Sequence, residues 1–147
     1  MVEGNPFAHW ASLKTISVSE NHPCFSTEDG VLYTRDNTAL ISYPARHAGE
    51  SFSVPSFVTR IGKQAFRGAS TLTQVVLSGG LTEIGDAAFF GMDAVTCVSI
   101  PGTVTTIEGN PFYGMYRAST LLHLLHFGMR QRALAIVRSG TTAIRYT

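Results

Sequence analysis

The chain repeats itself at a fixed interval, and this interval constrains the fold more than any other feature of the sequence. Residues 61–66 read IGKQAF, and residues 84–89, 23 positions later, read IGDAAF. Residues 104–115 (VTTIEGNPFYGM) continue the pattern without a gap. The columns align Val58, Leu81 and Val104; Ile61, Ile84 and Ile107; Phe66, Phe89 and Phe112; and Gly68, Gly91 and Gly114. A period of this length indicates a stack of similar structural units.

Each repeat combines a strand pattern with a turn. Val75 and Leu77 stand two residues apart, as Val98 and Ile100 do, and this spacing places side chains on one face of a strand. A second extended stretch follows, and then an Ala-Phe pair, where the pattern predicts one helical turn. Asp86 stands where such a turn needs a cap. A glycine two residues after each Phe suits a left-handed reversal of the chain.

A single repeat is too short to bury its own apolar face, so neighbouring repeats must stack on it and share a core. The sequence therefore predicts a repeat solenoid over residues 1–115, mainly β with short helical turns. The predicted repeat core consists of Ile61, Phe66, Leu77, Ile84, Phe89, Ile100, Ile107 and Phe112.

The N-terminal residues carry another copy of the pattern. Residues 2–7 (VEGNPF) match residues 107–112 (IEGNPF) except that Val replaces Ile. Continuing from this match places Ile16 in the column of Val75 and predicts that residues 13–18 form a repeat strand. The offset from Ile16 to Val75 is not a whole number of periods, so an insertion must lie between this copy and the next.

The predicted insertion covers about residues 19–51 and contains the pattern of a β-hairpin. Residues 30–34 and 39–44 are interpreted as two strands on either side of a tight turn at residues 35–38. Asp36 and Asn37 tolerate the positive φ that such turns require. The hairpin is either a structural spacer or variant coil, or a recognition arm, and the sequence leaves both interpretations open.

The repeats resemble the BspA-type leucine-rich repeats of bacterial and protozoan surface proteins. The resemblance rests on the pattern (L/V)-T-x-I-G-x-x-A-F-x-G-x-x-x-(L/V)-x-x-V-x-(I/L)-P, carried in copies over about residues 2–115. Residues 21–33 (NHPCFSTEDGVLY) are similar to a segment common between coils of this family. The resemblance implies a leucine-rich-repeat fold, a cell-surface or secreted location, and adhesion to host or matrix proteins.

The last part of the chain departs from the rest in composition. Residues 115–147 hold five arginines and no acid, whereas all ten acids lie before residue 109. The repeat register is lost from Ala118 onward, and residues 119–140 are helix-like. Three interpretations of residues 116–147 stay open: a helical cap on the core, a basic element for membrane or nucleic acid, or sequence introduced by truncation or a reading-frame error.

The chain offers no pattern of catalytic residues. It lacks a G-x-S-x-G elbow, a phosphate-binding loop and a G-x-G-x-x-G motif. His9, His22 and His47 have no Asp or Cys at metal-ligand spacing, and His22-Pro23-Cys24 lacks the second Cys of a zinc pair. His123 and His126 make only a pair. We therefore expect no enzymatic activity, no metal site and no cofactor.

Composition narrows the classes of partner and location. The 147 residues are 44% hydrophobic with a net charge of +1, which is typical of a globular domain. No apolar run reaches the roughly 18 residues of a membrane span. The start, MVEGNPFAHW, lacks the basic and apolar regions of a signal peptide. We expect no nucleic-acid partner, and neither a transmembrane segment nor a signal peptide in this chain.

The outward positions of the repeat strands form the candidate binding face. They are Thr15, Ser17, Ser51, Ser53, Gln74, Val76, Cys97 and Ser99. Their side chains are short and uncharged, which suits broad contact with a protein or glycan ligand. The predicted function is a non-enzymatic interaction or adhesion module, with further repeats in a longer parent chain. The alternatives are spacer repeats that bind nothing, and a truncated or frameshifted fragment without a function of its own.

Overall fold

A computed structural model of the protein describes residues 4–95 and 97–115. Within this range the chain forms strands and hydrogen-bonded turns, and no helix is present. The strands are β1 (Phe25–Glu28), β2 (Val31–Thr34), β3 (Ala39–Ser42), β4 (Ser51–Ser53), β5 (Arg60–Ile61), β6 (Gln74–Val76), β7 (Glu83–Ile84), β8 (Cys97–Ser99) and β9 (Thr106–Ile107). One sheet has the order β1-β2-β3-β5-β7-β9, and the other has the order β4-β6-β8.

The repeats pair with one another in both sheets at the spacing of the sequence repeat. Val75 pairs with Val98 in the three-stranded sheet, and Ile84 pairs with Ile107 in the six-stranded sheet. Both pairings are parallel and join residues that are one period apart in the sequence, as does the pairing of β4 with β6 and of β5 with β7. The sequence period is thereby confirmed as the register between successive coils, a coil being one repeat of the chain.

The interior of the stack is built from columns of similar side chains. The ring of Phe89 stacks on Phe66 on one side and on Phe112 on the other, with centroids 5.4 Å apart in both pairs. Tyr43, one period before Phe66, extends this column at 5.3 Å, a contact that the sequence pattern did not predict. All eight predicted core residues are buried, with exposed fractions of at most 7%.

The turn around each core Phe is not helical, which corrects the predicted short helical turns. Ala65 and Arg67 donate their N–H groups to the carbonyl oxygens three residues back. Gln64, Phe66 and Gly68 donate instead to carbonyl oxygens of the next coil, at distances of 2.8–3.0 Å. Because every second N–H group is used between coils, the bonds to the fourth preceding residue that define an α-helix cannot form.

Polar and glycine residues of these turns join the coils and reverse the chain. The carboxylate of Asp86, predicted as the cap of its own turn, instead accepts the N–H of Asn110 in the next coil at 2.9 Å. The predicted left-handed reversals are confirmed: φ is 73° at Gly68, 69° at Gly91 and 81° at Gly114. Glycine adopts this conformation without the steric cost that a Cβ imposes.

A threonine at the same place in each repeat ties adjacent coils together. The hydroxyl of Thr82 donates to the carbonyl of Thr59 at 3.0 Å, and the hydroxyl of Thr105 donates to the carbonyl of Thr82 at 3.4 Å. Thr59 bonds in the same way to Thr38 at 3.3 Å. Each of these carbonyls also accepts two backbone N–H groups, so the hydroxyl adds a third donor to an oxygen that already joins the two coils.

The segment predicted as an insertion lies within the six-stranded sheet. β2 and β3 pair antiparallel on either side of residues 35–38, and β3 also pairs in parallel with β5. The hairpin therefore contributes a strand to the sheet of the repeats. Its turn is closed by the carboxylate of Asp36, which accepts hydroxyl groups of Thr34 and Thr38 at 2.7 and 2.8 Å. These hydrogen bonds, that from Thr34 foremost, lower the pKa of Asp36.

Residues 13–18 do not form the predicted repeat strand. They lie outside both sheets, and Ile16 packs with Leu32, Ala39 and Ile41 in a second apolar cluster. The antiparallel strands β2 and β3 present these side chains on the face opposite the main core. The N-terminal segment covers that face and so leaves the stack of coils. The tail or cap predicted for residues 116–147 lies outside the described residues.

Candidate ligand-binding face

The outer face of the three-stranded sheet carries two rows of residues. In one row Ser51 lies beside Gln74, and in the other Ser53 lies beside Val76. All four residues are exposed, whereas Val75, between the two rows, is 2% exposed and points into the core. The rows arise because successive side chains of a strand point to opposite faces of the sheet.

The register continues both rows onto β8. Cys97 pairs with Gln74, and Ser99 pairs with Val76, although only the backbone of these two β8 residues is described. Neighbouring strands of a sheet lie about 4.8 Å apart, so three strands give the face a width of about 10 Å. Six of the eight predicted positions are therefore brought together by the pairing of β4, β6 and β8.

Thr15 and Ser17, also predicted for this face, are exposed but lie elsewhere. Their segment runs beside the turn between β1 and β2, where the N–H of Ile16 donates to the carbonyl of Gly30 at 2.9 Å. The contact is close, because a Cβ added at Gly30 would lie 2.5 Å from the hydroxyl oxygen of Thr15. Residues 13–18 therefore contribute nothing to the strand face, which is defined below as Ser51, Ser53, Gln74, Val76, Cys97 and Ser99.

The described side chains of the strand face carry no charge. They offer the hydroxyls of Ser51 and Ser53, the amide of Gln74, and the apolar surface of Val76, which is 45% exposed. The hydroxyls and the amide donate and accept hydrogen bonds but do not exchange protons near neutral pH. Among the residues that the structure describes, no group of three His, Cys, Asp or Glu is placed to hold a metal ion. The arrangement suits contact by hydrogen bonding and close packing.

His47 joins the turn between β1 and β2 to the buried side chain of Tyr43. The Nε2 atom of His47 lies 2.6 Å from the carbonyl of Asp29, which can only accept, so this nitrogen carries the proton. In the neutral ring, Nδ1 then accepts the hydroxyl of Tyr43 at 3.1 Å. Burial, followed by the charge of Asp29, raises the pKa of Tyr43 to about 12. Burial likewise raises the pKa of Tyr33.

A second surface row lies one residue beyond the buried Phe column. It consists of Arg67, Phe90 and Tyr113, which were not predicted from the sequence although this position recurs once in every repeat. The guanidinium of Arg67 lies 4.6 Å from the ring centroid of Phe90, and the ring of Tyr113 stacks on Phe90 at 5.4 Å. Tyr113 is 51% exposed. Such a cation–π contact at an exposed site contributes about 0.5–1 kcal/mol.

The repeat columns and their parallel register agree with one known family. A family model described as a BspA type leucine rich repeat region (6 copies) matches residues 45–122, more than half of the chain. The chain belongs to the BspA-type leucine-rich repeat family. A comparison of this BspA-type chain with curated proteins gives no match. Its described residues include no helix long and apolar enough to span a membrane.

Solved leucine-rich repeat structures share the fold of the BspA-type chain. A leucine-rich repeat protein from Eubacterium ventriosum is 33% identical with a TM-score of 0.69, and the match covers 78% of this chain and 30% of that one. The pneumococcal vaccine antigen PcpA is 22% identical with a TM-score of 0.65, over 78% and 40% of the two chains. A leucine rich cell surface protein from Faecalibacterium prausnitzii is 21% identical with a TM-score of 0.53, over 82% and 38%. The BspA-type chain thus spans less than half the length of each of these proteins.

Proposed function

We propose that this BspA-type chain is a short solenoid that acts as a non-enzymatic interaction module of a surface protein. The strand face is its contact surface for a protein or glycan ligand. The observation that carries the proposal is the pair of exposed rows, Ser51 with Gln74 and Ser53 with Val76, held in register by parallel strands. Short side chains on adjacent strands make a flat surface on which a large partner can lie. Residues 1–115 form this module, and residues 116–147 are a separate basic segment.

A location at the cell surface is supported by what the structural neighbours are called. One is named a cell surface protein and another a vaccine antigen, and both share the fold at low identity. The strand face adds a physical argument about partners. Its six positions include no Lys or Arg, and nucleic-acid binding depends on such cations to neutralise phosphates. The proposal therefore assigns the face to protein or glycan, with no cofactor, metal or catalytic residue.

The proposal is tested by binding of the full chain to immobilised fibronectin, collagen and mucin glycans. Val76→Arg places a long cation in the middle of the strand face, and Ser17→Arg adds the same charge at an exposed position outside it. We expect Val76→Arg to weaken binding by about tenfold or more, because a partner would have to bury an unpaired charge. Ser17→Arg should bind as the unmodified chain does. Equal binding by the two folded variants would exclude the strand face.

The second candidate function is purely architectural. The core columns continue into the last described coil, where Phe112 and Met115 are buried, and such coils can extend a longer protein without binding anything. The chain also spans only 30% and 40% of its first two structural neighbours. Absence of saturable binding to all three surfaces by the folded, unmodified chain would favour this architectural function over the interaction module.

A further inference from the structure

The outer edge of β4 has no neighbouring strand in the described part of the chain. Among the described strands, β4 stands first in its sheet and pairs with β6 alone. The N–H of Val54 donates to the carbonyl of Val76 at 2.9 Å, so even-numbered residues of this segment face β6. Backbone groups of successive residues point to opposite edges of a strand, so the N–H and C=O groups of Ser51 and Ser53 point away from β6. No described residue forms a hydrogen bond with them.

Within the described part of the chain this edge is uncovered, because residues 13–18 pair with neither sheet. The sequence register predicted them as the strand before β4, but Ile16 instead bonds to Gly30 and packs in the second apolar cluster. The consequence is visible in the core. Phe52 of β4 is only partly buried, whereas Val75 and Val98, its counterparts in the next coils, are 2% and 3% exposed. The open edge therefore combines unpaired backbone groups with accessible apolar surface.

A cavity of about 580 Å³ opens at the N-terminal end of β4. Lys14 and Arg46 line it, and neither forms an ion pair with a described residue. Glu50 contributes the single carboxylate of the lining. Two cations against one anion leave the cavity with a net positive charge near neutral pH. An anionic group entering it would meet a favourable potential.

We propose that the free edge of β4 is a docking site for an extended segment of a partner protein. The segment adds to the sheet as a strand parallel to β4, pairing with the backbone of Ser51 and Ser53. A parallel strand brings its own N-terminal end to the cavity, so an acidic residue just before it meets Lys14 and Arg46. Alternate side chains of the segment pack beside Phe52. Addition of a strand to a sheet edge is a general mode of peptide recognition.

The probe for this site follows from the strand that β4 already accepts. A fluorescein-labelled peptide carries the sequence of residues 72–77 (LTQVVL), which includes β6, preceded by two aspartates. A matched peptide carries two lysines in their place. Fluorescence anisotropy is measured as the full chain is added. We expect saturable binding of the aspartate peptide and binding of the lysine peptide weaker by about tenfold. Equal affinity of the two peptides, or no saturation at about 1 mM, overturns the proposal.

Two substitutions at one position separate edge docking from other contacts. Ser53→Pro removes the N–H group that faces the free edge and leaves the groups that bind β6, a placement that proline tolerates in edge strands. Ser53→Ala removes the hydroxyl but keeps the N–H. We expect Ser53→Ala to bind the aspartate peptide as the unmodified chain does, and Ser53→Pro to bind about tenfold more weakly. Unchanged binding by folded Ser53→Pro overturns the proposal.

A measurement on the unmodified chain covers the case in which Ser53→Pro does not fold. Amide hydrogen exchange at Ser51 and Ser53 should slow when the aspartate peptide is added, because the new strand protects these N–H groups. Unchanged exchange at both residues overturns the proposal. The site shares Ser51 and Ser53 with the strand face, but it uses their backbone groups and not their side chains. Val76→Arg tests the side chains of the face, and Ser53→Pro with its alanine control tests the backbone edge, so either proposal can fail alone.

Discussion

Phe89 and Phe112 stack with their ring planes 1° apart and their centroids 5.4 Å apart, although one full period of the sequence separates them. Phe66 lies on the other side of Phe89 with its ring plane tilted by 17°. The repeat period of the sequence therefore corresponds to one step of the stack. Each ring fills the space between two neighbours, which is how a protein interior reaches the packing density of a crystal.

Truncation of Phe89 should cost far more than truncation of its neighbour. We expect Phe89→Ala to lower the free energy of unfolding by about 3–5 kcal/mol, because a cavity replaces a fully buried ring. Phe89→Leu should cost about half as much, since most of the volume is kept. The control is Phe90→Ala, whose ring is partly exposed, with an expected loss of about 1 kcal/mol. Urea unfolding measures the stability of the three variants. Equal losses of stability in Phe89→Ala and Phe90→Ala would contradict the burial of Phe89 in the stacked Phe column.

Close approach of coils should make Gly85 intolerant of a side chain. A Cβ there would lie 2.7 Å from the backbone nitrogen of Lys63 and 2.9 Å from the carbonyl carbon of Gly62. We expect Gly85→Ala to lower the free energy of unfolding by about 1–3 kcal/mol, because two backbones must separate. Gly79→Ala meets no atom within 4 Å and should be neutral or stabilising by up to about 1 kcal/mol. Thermal unfolding measures the stability of both variants, and equal stabilities would show that the coils are further apart.

The N-terminal segment should depend on Asn5. Its backbone N–H donates to the carbonyl of Lys63 at 3.0 Å, and its side-chain amide donates to the carbonyl of Gln64 at 2.9 Å. Asn5→Ala should lower the free energy of unfolding by about 1–3 kcal/mol, because the carbonyl of Gln64 loses its side-chain donor. The exposed Asn21→Ala should change stability by less than about 0.5 kcal/mol. Chemical denaturation measures the free energy of unfolding of the two variants. A loss in Asn5→Ala as small as that in Asn21→Ala would refute the contribution of the Asn5 hydrogen bond to Gln64.

Stability should fall at alkaline pH through Tyr43. Its pKa in the folded chain is about 12, above the value of about 10 expected in the unfolded chain. The neutral hydroxyl therefore contributes stability below about pH 10, and this contribution is lost as the pH rises towards the folded pKa. Tyr43→Phe should reduce this alkaline loss, with a residual part from Tyr33, whose pKa is also raised.

The same variant should cost about 1 kcal/mol at pH 7, because the hydrogen bond from Tyr43 to His47 is absent. Thr71→Val is the control: it removes the hydroxyl that donates to the carbonyl of His47 at 3.1 Å, without removing a titrating group. Urea midpoints between pH 7 and about pH 11 should show the steep alkaline fall in Thr71→Val and a shallower one in Tyr43→Phe. Identical profiles for Tyr43→Phe and the unmodified chain would contradict the role of this hydroxyl.

Some positions of the candidate sites could be predicted from the sequence, and others could not. The register that aligns Ser53 with Val76 follows from strand alternation within a repeat, so the sequence was sufficient to place both in one row. The placement of Thr15 away from them did not follow, because residues 13–18 match the strand pattern equally well. The uncovered edge of β4 likewise did not follow from the sequence, because it depends on Ile16 packing in the second apolar cluster.

The sequence by itself determined the period and the core columns, because each repeated side chain must meet its own copy one coil away. Only the tertiary structure decided the first coil and the turns. In the structure Tyr43 stacks on the Phe column, Ile16 packs in a separate apolar cluster, and the turn around Phe66 is not helical. These outcomes depend on which partner each backbone N–H and apolar face finds in the next coil. A local sequence pattern that suits a strand or a helical turn equally well does not specify these partners.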